Sequence, residues 1–358
     1  MNKLRLNILI TAPGLDTSQN VSGISSVALV ITQNSNHNFF HYRLGSKDGK
    51  SKDLIWVFSI LYAYLRLPFY LHKNKIDIVH LNIPCDAKGI IREFLMIWVS
   101  NLCKKKVIAH LHGGLYMTEK ITNRAIASMF GYILNKSSIV VVQSKVERLY
   151  LSNTYGFSQA EVLSNSIEIG EKKDCVIDDK LLNLLYLGRI EKNKGIAEIV
   201  SAFTKLYKEV RFRFLLCGDG PDRSDFEKEL RGVMGDDFEY RGIVAGAAKS
   251  DAILQSDVFI LPSYFEGLPM ALLETMGSGL VPVITSVGSI PEVVEHKKNG
   301  ILVAKKDADD LYLKLKMLLN DRELICQLSE QAHNTVKNRF DSDKFIAGLE
   351  GIYIKALS

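Results

Sequence analysis

Short apolar runs alternate with segments of helical periodicity along most of the chain. Two clear examples are residues 7–12 and 256–261, each of which precedes a loop and then a helical pattern. Continuous apolar runs of this length are typical of strands that are buried on both faces of a parallel sheet. We therefore predict an α/β protein. Its 358 residues are long for one core and suit two domains of about 170 residues each.

Residues 169–179 are rich in charge and lack periodicity, so we predict that they are a linker. This places a first domain at residues 1–168 and a second domain at residues 180–340. The last part of the chain, about residues 341–358, has apolar positions spaced as in an amphipathic helix. These positions are Phe345, Ile346, Leu349, Ile352 and Tyr353.

Residues 262–274, with the sequence PSYFEGLPMALLE, contain two carboxylates eight positions apart. Because Pro269 suits the first position of a helix, we expect Glu266 in the preceding loop and Glu274 five residues inside the helix. At about 1.5 Å per residue, Glu274 is then roughly 7.5 Å further along the axis, which is too far for the carboxylates to share a proton. They are better placed to hold separate parts of one long ligand.

The amides of the first helical turn lie between these two carboxylates. Such amides, together with the helix dipole, favour a bound phosphate. The segment therefore predicts a nucleotide-sugar site, with a hydroxyl-rich group at each end of the phosphates. The alternative is structural: Glu266 caps the helix, and Glu274 is an ordinary solvated residue.

Residues 257–303 resemble the carboxy-terminal half of the family-four retaining glycosyltransferases, whose signature is a glutamate, seven residues and a second glutamate. Further segments follow the family's order and extend the resemblance over nearly all of residues 183–303. They are YLGRIEKNKG at 186–195, LCGDGP at 216–221, YRGIV at 240–244, GLVPVI at 279–284, PEVV at 291–294 and NGILV at 299–303. The resemblance implies the glycosyltransferase B-type fold: two facing Rossmann-like domains with a C-terminal helix that crosses back to the first domain.

The resemblance also implies a donor site on the second domain. It places the base near Gly242 and Ile243, the ribose on Glu274, and the sugar against Glu266 and Gly267. The diphosphate would meet the helix amides and two cations. The donor-binding residues that follow from the resemblance are Gly23, Gly242, Ile243, Gly267, Leu268, Met270, Ala271, Leu272 and Glu274.

The two cations are Arg189 and Lys194, which stand between a strand pattern and a helix pattern. Cleavage of a sugar–diphosphate bond leaves negative charge on the phosphate oxygens, and fixed cations stabilise that charge most in the transition state. We predict that both residues are catalytic, and that the enzyme uses neither a metal nor another cofactor beside its nucleoside-diphosphate sugar co-substrate. The alternatives are two ordinary surface cations, or Lys192 in place of Lys194.

The first half of the chain supplies fewer candidates. Gly23 follows the first strand, where the family usually carries paired glycines and this chain has Ser22-Gly23. His112 follows a strand pattern at the position where the family often has a histidine, so we assign it to the donor sugar and count it as catalytic. His110 shares its side of the strand, and is either a core histidine or the true contact. Asn165 resembles the family's asparagine, although the glycine and aspartate that usually follow it are replaced.

The absence of a glycine triplet of the dinucleotide-binding type argues against NAD as a cofactor. Charge separates the two halves: residues 1–170 hold 19 Lys and Arg against 10 Asp and Glu, whereas residues 171–358 hold 26 against 30. A basic first domain suits anionic lipid headgroups or a lipid pyrophosphate. Because no nucleic-acid motif accompanies this charge, we expect no nucleic-acid partner.

An apolar, aromatic run at residues 54–71 is flanked by Lys50, Lys52, Lys73 and Lys75. We favour a helix that lies in the interface of an anionic membrane. The alternatives are a buried helix on the first sheet and a membrane span, although Arg66 and Pro68 interrupt the run. Residues 90–102, followed by three lysines, would extend the same surface.

The five cysteines, at positions 85, 103, 175, 217 and 326, show no metal-binding spacing, and no secretory leader precedes the first strand. We therefore expect reduced thiols and a cytoplasmic protein on the inner face of the membrane. Two aspartate pairs, at residues 307 and 309 and at residues 341 and 343, are interpreted as surface charge, with no metal site.

These observations together predict a retaining glycosyltransferase. It would move a hexose-type sugar from a UDP-sugar to a hydroxyl of a lipid-linked glycan, as in the biosynthesis of a capsule or O-antigen, with domain closure excluding water. The alternatives are an inactive subunit that stabilises a partner transferase, and an epimerase or phosphorylase on the same fold. The joint presence of Arg189, Lys194, Glu266 and Glu274 argues against an inactive subunit.

Overall fold

The computed structural model describes residues 5–15, 23–44, 54–175, 177 and 180–358. The flanking lysines Lys50 and Lys52, and the side chains of residues 54–61, lie outside this description. The chain divides into two compact units. The first comprises residues 1–16, 24–165 and 342–358, and the second comprises residues 17–23 and 166–341.

The first unit contains a parallel sheet with the strand order β2-β1-β3-β4-β5-β6. All six positions of the inner strand β3 are buried, whereas the edge strands β2 and β6 are only partly buried. The elements are β1 (Asn7–Ala12), α1 (Gly23–Asn34), β2 (Asn38–Arg43), α2 (Leu54–Lys73), β3 (Ile78–Ile83), α3 (Ala87–Leu102), β4 (Lys106–Leu111), α4 (Arg124–Lys136), β5 (Ile139–Val142), α5 (Lys145–Tyr155) and β6 (Glu161–Val162), together with the last helix, α12 (Ser342–Leu357).

The second unit repeats this architecture with the strand order β12-β11-β10-β7-β8-β9. The elements are β7 (Asn183–Leu187), α6 (Ile196–Leu206), β8 (Arg213–Cys217), α7 (Arg223–Met234), β9 (Phe238–Gly242), α8 (Gly246–Leu254), β10 (Val258–Leu261), α9 (Met270–Gly277), β11 (Val281–Thr285), β12 (Ile301–Val303), α10 (Ala308–Leu319) and α11 (Arg322–Arg339). The predicted α/β class and its two Rossmann-like domains are confirmed.

The segment predicted as a linker is tied to the second unit at three points. The ammonium of Lys173 lies 2.6 Å from a carboxylate oxygen of Asp257, and Lys172 pairs with Glu330. Cys175 forms a disulfide with Cys326 of α11 across a Cα–Cα distance of 5.3 Å. The expectation of reduced thiols is therefore wrong for this pair. The two cysteines are 151 positions apart, and only the fold brings them together.

The apolar run at residues 54–71 forms most of α2. Leu67 and Leu71 are buried in the core of the first unit, whereas Leu65 and Phe69 are exposed. The described part of the helix therefore has a buried face and a solvent face, and both are apolar. Among the residues that the structure describes, no helix is long and apolar enough to cross a membrane.

Candidate functional site

The order of the strands in the second unit locates a crevice. Strands β7 and β10 are hydrogen-bonded neighbours, but the chain leaves β7 towards β8 and leaves β10 towards β11, in opposite directions across the sheet. Ligands of open parallel sheets bind beyond the carboxyl ends of the strands at such a switch point. The loops that follow β7 and β10 are residues 188–195 and 262–269, and they contain Arg189, Lys194 and Glu266 of the predicted site.

Backbone contacts hold these two loops together. The Tyr264 amide donates to the Asn193 carbonyl at 2.8 Å. Gly195 has φ +73°, and a Cβ atom added there would lie 2.2 Å from the Pro262 carbonyl oxygen. Only glycine allows both the left-handed backbone and this close approach. The glycine of the KNKG sequence thus sets the distance between the loops.

Lys194 and Glu266 meet at the switch point. The Lys194 ammonium donates to a Glu266 carboxylate oxygen at 2.7 Å, and the two side chains are only 19% and 11% exposed. Lys192 is exposed and directs its backbone amide, not its ammonium, to Asp222. The contact with Glu266 therefore distinguishes Lys194 from its neighbour.

Arg189 lies in the same loop and is about half exposed, at 51%. Its Nε atom is 3.4 Å from a carboxylate oxygen of Glu191. Its carbonyl accepts a 2.6 Å hydrogen bond from the buried hydroxyl of Tyr186, and burial raises the pKa of Tyr186 well above its usual value. The backbone at Arg189 is thus anchored in the core while its guanidinium remains accessible to a ligand.

Helix α9 begins directly after the Glu266 loop. Pro269 occupies the N-cap position, one residue earlier than predicted, and none of the described side chains caps this end. Glu266 binds Lys194 instead, so the alternative in which it serves as a helix cap is wrong. The side chains of Met270 and Leu272 are buried, which leaves only their amides to meet a ligand at the positive end of the helix dipole.

Glu274 is not an ordinary solvated residue. Its carboxylate accepts a 2.7 Å hydrogen bond from Lys249 of α8 and is 19% exposed. A cavity of about 380 Å³ lies beside the pair and is lined in part by Ser250 and Ser278. Sequence analysis missed Lys249, because neither a motif nor a helical spacing relates α8 to α9.

Glycines also shape the remaining loops of the crevice. Gly288 has φ +55°, and a Cβ atom there would lie 1.9 Å from the Glu266 carbonyl oxygen. The Ser289 amide donates to the Gly267 carbonyl at 3.2 Å, so residues 288–289 pack against the Glu266 loop and support it.

The predicted base position lies at the end of β9. Gly242 ends this strand with φ +67°, and its carbonyl accepts a hydrogen bond from the Gly218 amide at 2.7 Å. Ile243 is half-buried.

In the first unit, His112 belongs to a network of neutral side chains. Its Nε2 atom is 2.7 Å from the Asn82 Oδ1 atom, and its Nδ1 atom is 3.0 Å from the Gln143 amide nitrogen. Gln143 also donates to the Asn165 Oδ1 atom at 3.0 Å. Because an amide nitrogen only donates, Nδ1 of His112 accepts and Nε2 carries the proton. Two of the predicted residues, His112 and Asn165, are thus joined through Gln143.

His110 is fully buried and stacks on His112, with 4.2 Å between the ring centroids. Its Nδ1 atom lies 3.3 Å from Nε2 of His80, whose other nitrogen is 2.8 Å from the Tyr353 hydroxyl of α12. These contacts are those of a core histidine, the structural alternative for His110. Gly23, the remaining candidate, is the first residue of α1.

Burial keeps these imidazoles neutral, which predicts a specific acid sensitivity. It lowers the pKa of His80 to about 3. Between about pH 6.5 and pH 3 the unfolded chain binds a proton at His80 that the folded chain does not. The contribution to the free energy of unfolding is complete above pH 6.5 and is lost as the pH falls, by about 1.4 kcal/mol per pH unit.

We therefore expect the free energy of unfolding, measured with urea, to be about 2 kcal/mol lower at pH 5 than at pH 7 through the contribution of His80 alone. The His80→Gln variant should show a correspondingly weaker dependence on pH. His72→Gln, which removes an exposed imidazole of α2, is the matched control and should leave the dependence unchanged. An identical slope for the His80→Gln variant and the unmodified protein would contradict this assignment.

Within the described ranges, no group of three or more His, Cys, Asp and Glu side chains is arranged to hold a metal ion. The aspartates at positions 307 and 309 instead belong to the start of α10, where the Asp307 carboxylate accepts from the amides of Asp309 and Asp310. Asp307 is therefore the N-cap of α10, whereas Asp309 is an exposed surface charge paired with Lys205.

Comparison with known proteins relates the part of the chain that holds this site to a known family. Residues 170–335 match the family described as glycosyl transferases group 1. The chain is 31% identical over 209 residues to N-acetyl-alpha-D-glucosaminyl L-malate synthase of Bacillus anthracis, covering 58% of this chain and 54% of that protein. It is 26% identical over 186 residues to TuaC of Bacillus subtilis, a glycosyltransferase named for teichuronic acid biosynthesis, covering 52% and 45%.

Solved structures show the same fold over nearly the whole chain. Sucrose-phosphate synthase from Thermosynechococcus elongatus superposes with a TM-score of 0.79 at 18% identity, covering 98% of this chain and 99% of that one. HepE of Anabaena, solved in complex with UDP and glucose, gives 0.76 at 14% identity with the same coverage. The predicted B-type fold is confirmed, and the match bears out the predicted family for residues 170–335. The two relatives named above are matched over only about half their lengths.

Proposed function

We propose that this protein transfers a hexose-type sugar, with retention of anomeric configuration, from a UDP-sugar to a hydroxyl of a lipid-linked glycan. The observation that carries the proposal is the contact between Lys194 and Glu266 at the β7–β10 switch point, beside the start of α9. It puts a cation, a carboxylate and a row of helix amides within the span of one nucleotide-sugar.

Each part of the site has a task in this reaction. Lys194, Arg189 and the first amides of α9 bind the diphosphate and stabilise the charge that grows as its bond to the sugar breaks. Glu266 and Gly267 orient the sugar, and Glu274 binds the ribose hydroxyls. Lys249 holds the Glu274 carboxylate in position through their 2.7 Å hydrogen bond. The acceptor hydroxyl oxygen attacks the anomeric carbon on the face that the diphosphate leaves, the bond between that carbon and the diphosphate breaks, and the hydroxyl proton passes to the departing diphosphate.

The comparisons support the choice of donor and of pathway. HepE of Anabaena, which shares the fold, is solved with UDP and glucose, which favours a uridine nucleotide. TuaC is named for teichuronic acid biosynthesis, which favours a role in a cell-surface polysaccharide. The basic first half of the chain suits the anionic carrier lipid on which such glycans are assembled, and thus an inner-membrane location.

Thermal unfolding with UDP, GDP or ADP, in the absence of metal, tests the donor site. We expect UDP at one hundred times its Kd to stabilise the protein by about 2.7 kcal/mol. Arg189→Ala should remove most of this gain because the guanidinium binds the diphosphate. Arg231→Ala is the matched control: Arg231 is also about half exposed, at 54%, and is paired with a glutamate, but it lies on α7.

Stabilisation by GDP or ADP instead would correct the base and leave the site intact. If no nucleotide stabilises the protein, the proposal of an active transferase is wrong and the inactive-subunit alternative replaces it. Equal loss of stabilisation in the Arg189 and Arg231 variants would remove the assigned role of Arg189. Analysis of the product's anomeric configuration then tests retention.

A further inference from the structure

Helices α2 and α3 expose an unusual number of large apolar side chains. Leu65 is 80% exposed and Phe69 is 65% exposed on α2, and Trp98 is 47% exposed and Leu102 is 65% exposed on α3. The complete set is Tyr62, Leu65, Phe69, Ile91, Leu95, Trp98 and Leu102. Scattered apolar residues are normal on a protein surface, but a group of this size on two adjoining helices marks a binding surface.

The spacing places the exposed residues of each helix on one face. Those of α2 follow the pattern i, i+3, i+7, and those of α3 follow i, i+4, i+7, i+11, so each set forms a stripe along its helix. Different positions of the same helices, including Leu67 on α2 and Ile97 on α3, are buried in the core. The exposed stripes are therefore additional to the faces that pack on the sheet.

The two stripes lie on one side of the sheet. Crossovers between parallel strands are right-handed, and those through α2, α3 and α4 all advance in the same direction along the strand order β2-β1-β3-β4-β5. These three helices therefore form one layer. A hydrogen bond of 3.0 Å from the Tyr64 hydroxyl to the Arg92 carbonyl joins α2 to α3 directly.

Helix α4 belongs to the same layer but has an ordinary polar surface. Its exposed positions include Arg124, Ser128, Asn135 and Lys136. The apolar surface is thus confined to α2 and α3, and we name its seven exposed residues the α2–α3 surface.

Charge around this surface is strongly positive. Residues 54–106 contain eight Lys and Arg against three Asp and Glu. One of the acids, Glu93, is buried and accepts a 2.8 Å hydrogen bond from Arg92. The exposed cations on these helices and at their ends are Arg66, Lys73, Lys88, Lys104 and Lys106.

We propose that the α2–α3 surface binds the surface of an anionic lipid bilayer, with the helices lying along the interface. Trp98 and Tyr62 would sit at the depth of the headgroups, the aliphatic side chains would enter the acyl boundary, and the cations would meet anionic headgroups. A second copy of the chain is a poorer occupant, because a symmetric contact would bring two basic rims together. The role in glycan assembly rests on the proposed function, but the binding itself does not.

Co-sedimentation with vesicles tests the proposal without donor or acceptor. The protein should sediment with vesicles of phosphatidylglycerol and phosphatidylcholine in equal parts, and much less with phosphatidylcholine alone. Changing Leu65 and Trp98 together to Gln should weaken binding at least about tenfold, because both lose apolar contact with the bilayer. Leu313→Gln on α10 is the matched control: this leucine is 59% exposed and lies in the second unit.

Fluorescence provides a second readout. The chain has two tryptophans, so Trp56→Phe leaves Trp98 as the only one. Its emission should shift to the blue on binding anionic vesicles and should be quenched by lipids brominated near the headgroup end of the acyl chains. Solvent-exposed Trp98 emission with fully bound protein would overturn the assigned orientation.

Two further outcomes would overturn the proposal. Vesicle binding by the Leu65/Trp98 double variant equal to that of the Leu313 variant would show that the surface is not used. Vesicle-independent dimerisation, abolished by the same double variant in light scattering, would identify a second copy as the occupant. If UDP still stabilises the double variant, its donor site is intact. Either of these two outcomes then counts against the membrane proposal and not against the proposed function.

Discussion

Replacement of Lys194 by alanine is expected to lower kcat by about 10²–10³-fold. In the proposed donor site this lysine is a preorganised cation beside the diphosphate, and removing one such donor from a charge-stabilising site costs this much in other enzymes. Its contact with Glu266 fixes the ammonium at the switch point. Water that fills the space left by the lysine side chain would not replace this positive charge. The effect should fall on kcat more than on KM, because the charge that Lys194 stabilises develops in the transition state.

Lys192→Ala is the matched control for this measurement. Lys192 lies two positions earlier in the same short helical turn, but its side chain is exposed and its amide, rather than its ammonium, is bound to Asp222. We expect its kcat to remain within about twofold of normal. Steady-state rates with the donor identified by thermal unfolding would settle the comparison, and similar losses in both variants would refute the role of Lys194.

Gly288→Ala is expected to be strongly destabilising and to disturb the donor site. The added Cβ atom would lie 1.9 Å from the Glu266 carbonyl oxygen, in a backbone conformation with φ +55°. Left-handed backbone alone costs roughly 1–2 kcal/mol for a residue other than glycine, and overpacking adds about 1–3 kcal/mol. Because the clash pushes on the Glu266 loop, stabilisation by UDP should be lost together with thermal stability.

Gly156→Ala separates these two contributions. Gly156 also has a left-handed backbone, with φ +69°, but no described heavy atom lies within 4 Å of the position of its Cβ atom. The free energy of unfolding of this variant should fall only by the cost of the left-handed backbone, roughly 1–2 kcal/mol, and the variant should bind UDP normally. Equal destabilisation of both variants would show that the contact with the Glu266 loop is unimportant.

Much of the fold could be predicted because local sequence decides it. Apolar runs such as residues 256–261 became parallel strands, and the described residues of the charge-rich, aperiodic stretch lie outside the helices and strands. Pro269 marked the start of α9 to within one residue, because a residue without an amide proton is favoured at a helix start. The family motif then pointed to the loops that meet at the switch point.

Contacts between distant segments could not be predicted in this way. Lys194 and Glu266 are 72 positions apart, and Lys249 and Glu274 are 25 apart, so no helical or strand period relates them. The same holds for the disulfide between Cys175 and Cys326, which overturned the expectation of reduced thiols. The His112 network similarly needs three strands to meet before Asn82 and Gln143 can engage both ring nitrogens.

The sequence by itself determined the class of fold, the family resemblance and the loops to which we assign the donor site, because hydrophobic period and backbone-restricted residues act over a few positions. Only the tertiary structure decided which charges are paired, which histidines are kept neutral by burial, and which apolar side chains of α2 and α3 remain on the surface. These properties depend on the order of strands in a sheet and on the packing of helices over it. That order is fixed by the burial of the whole core, which no single segment encodes.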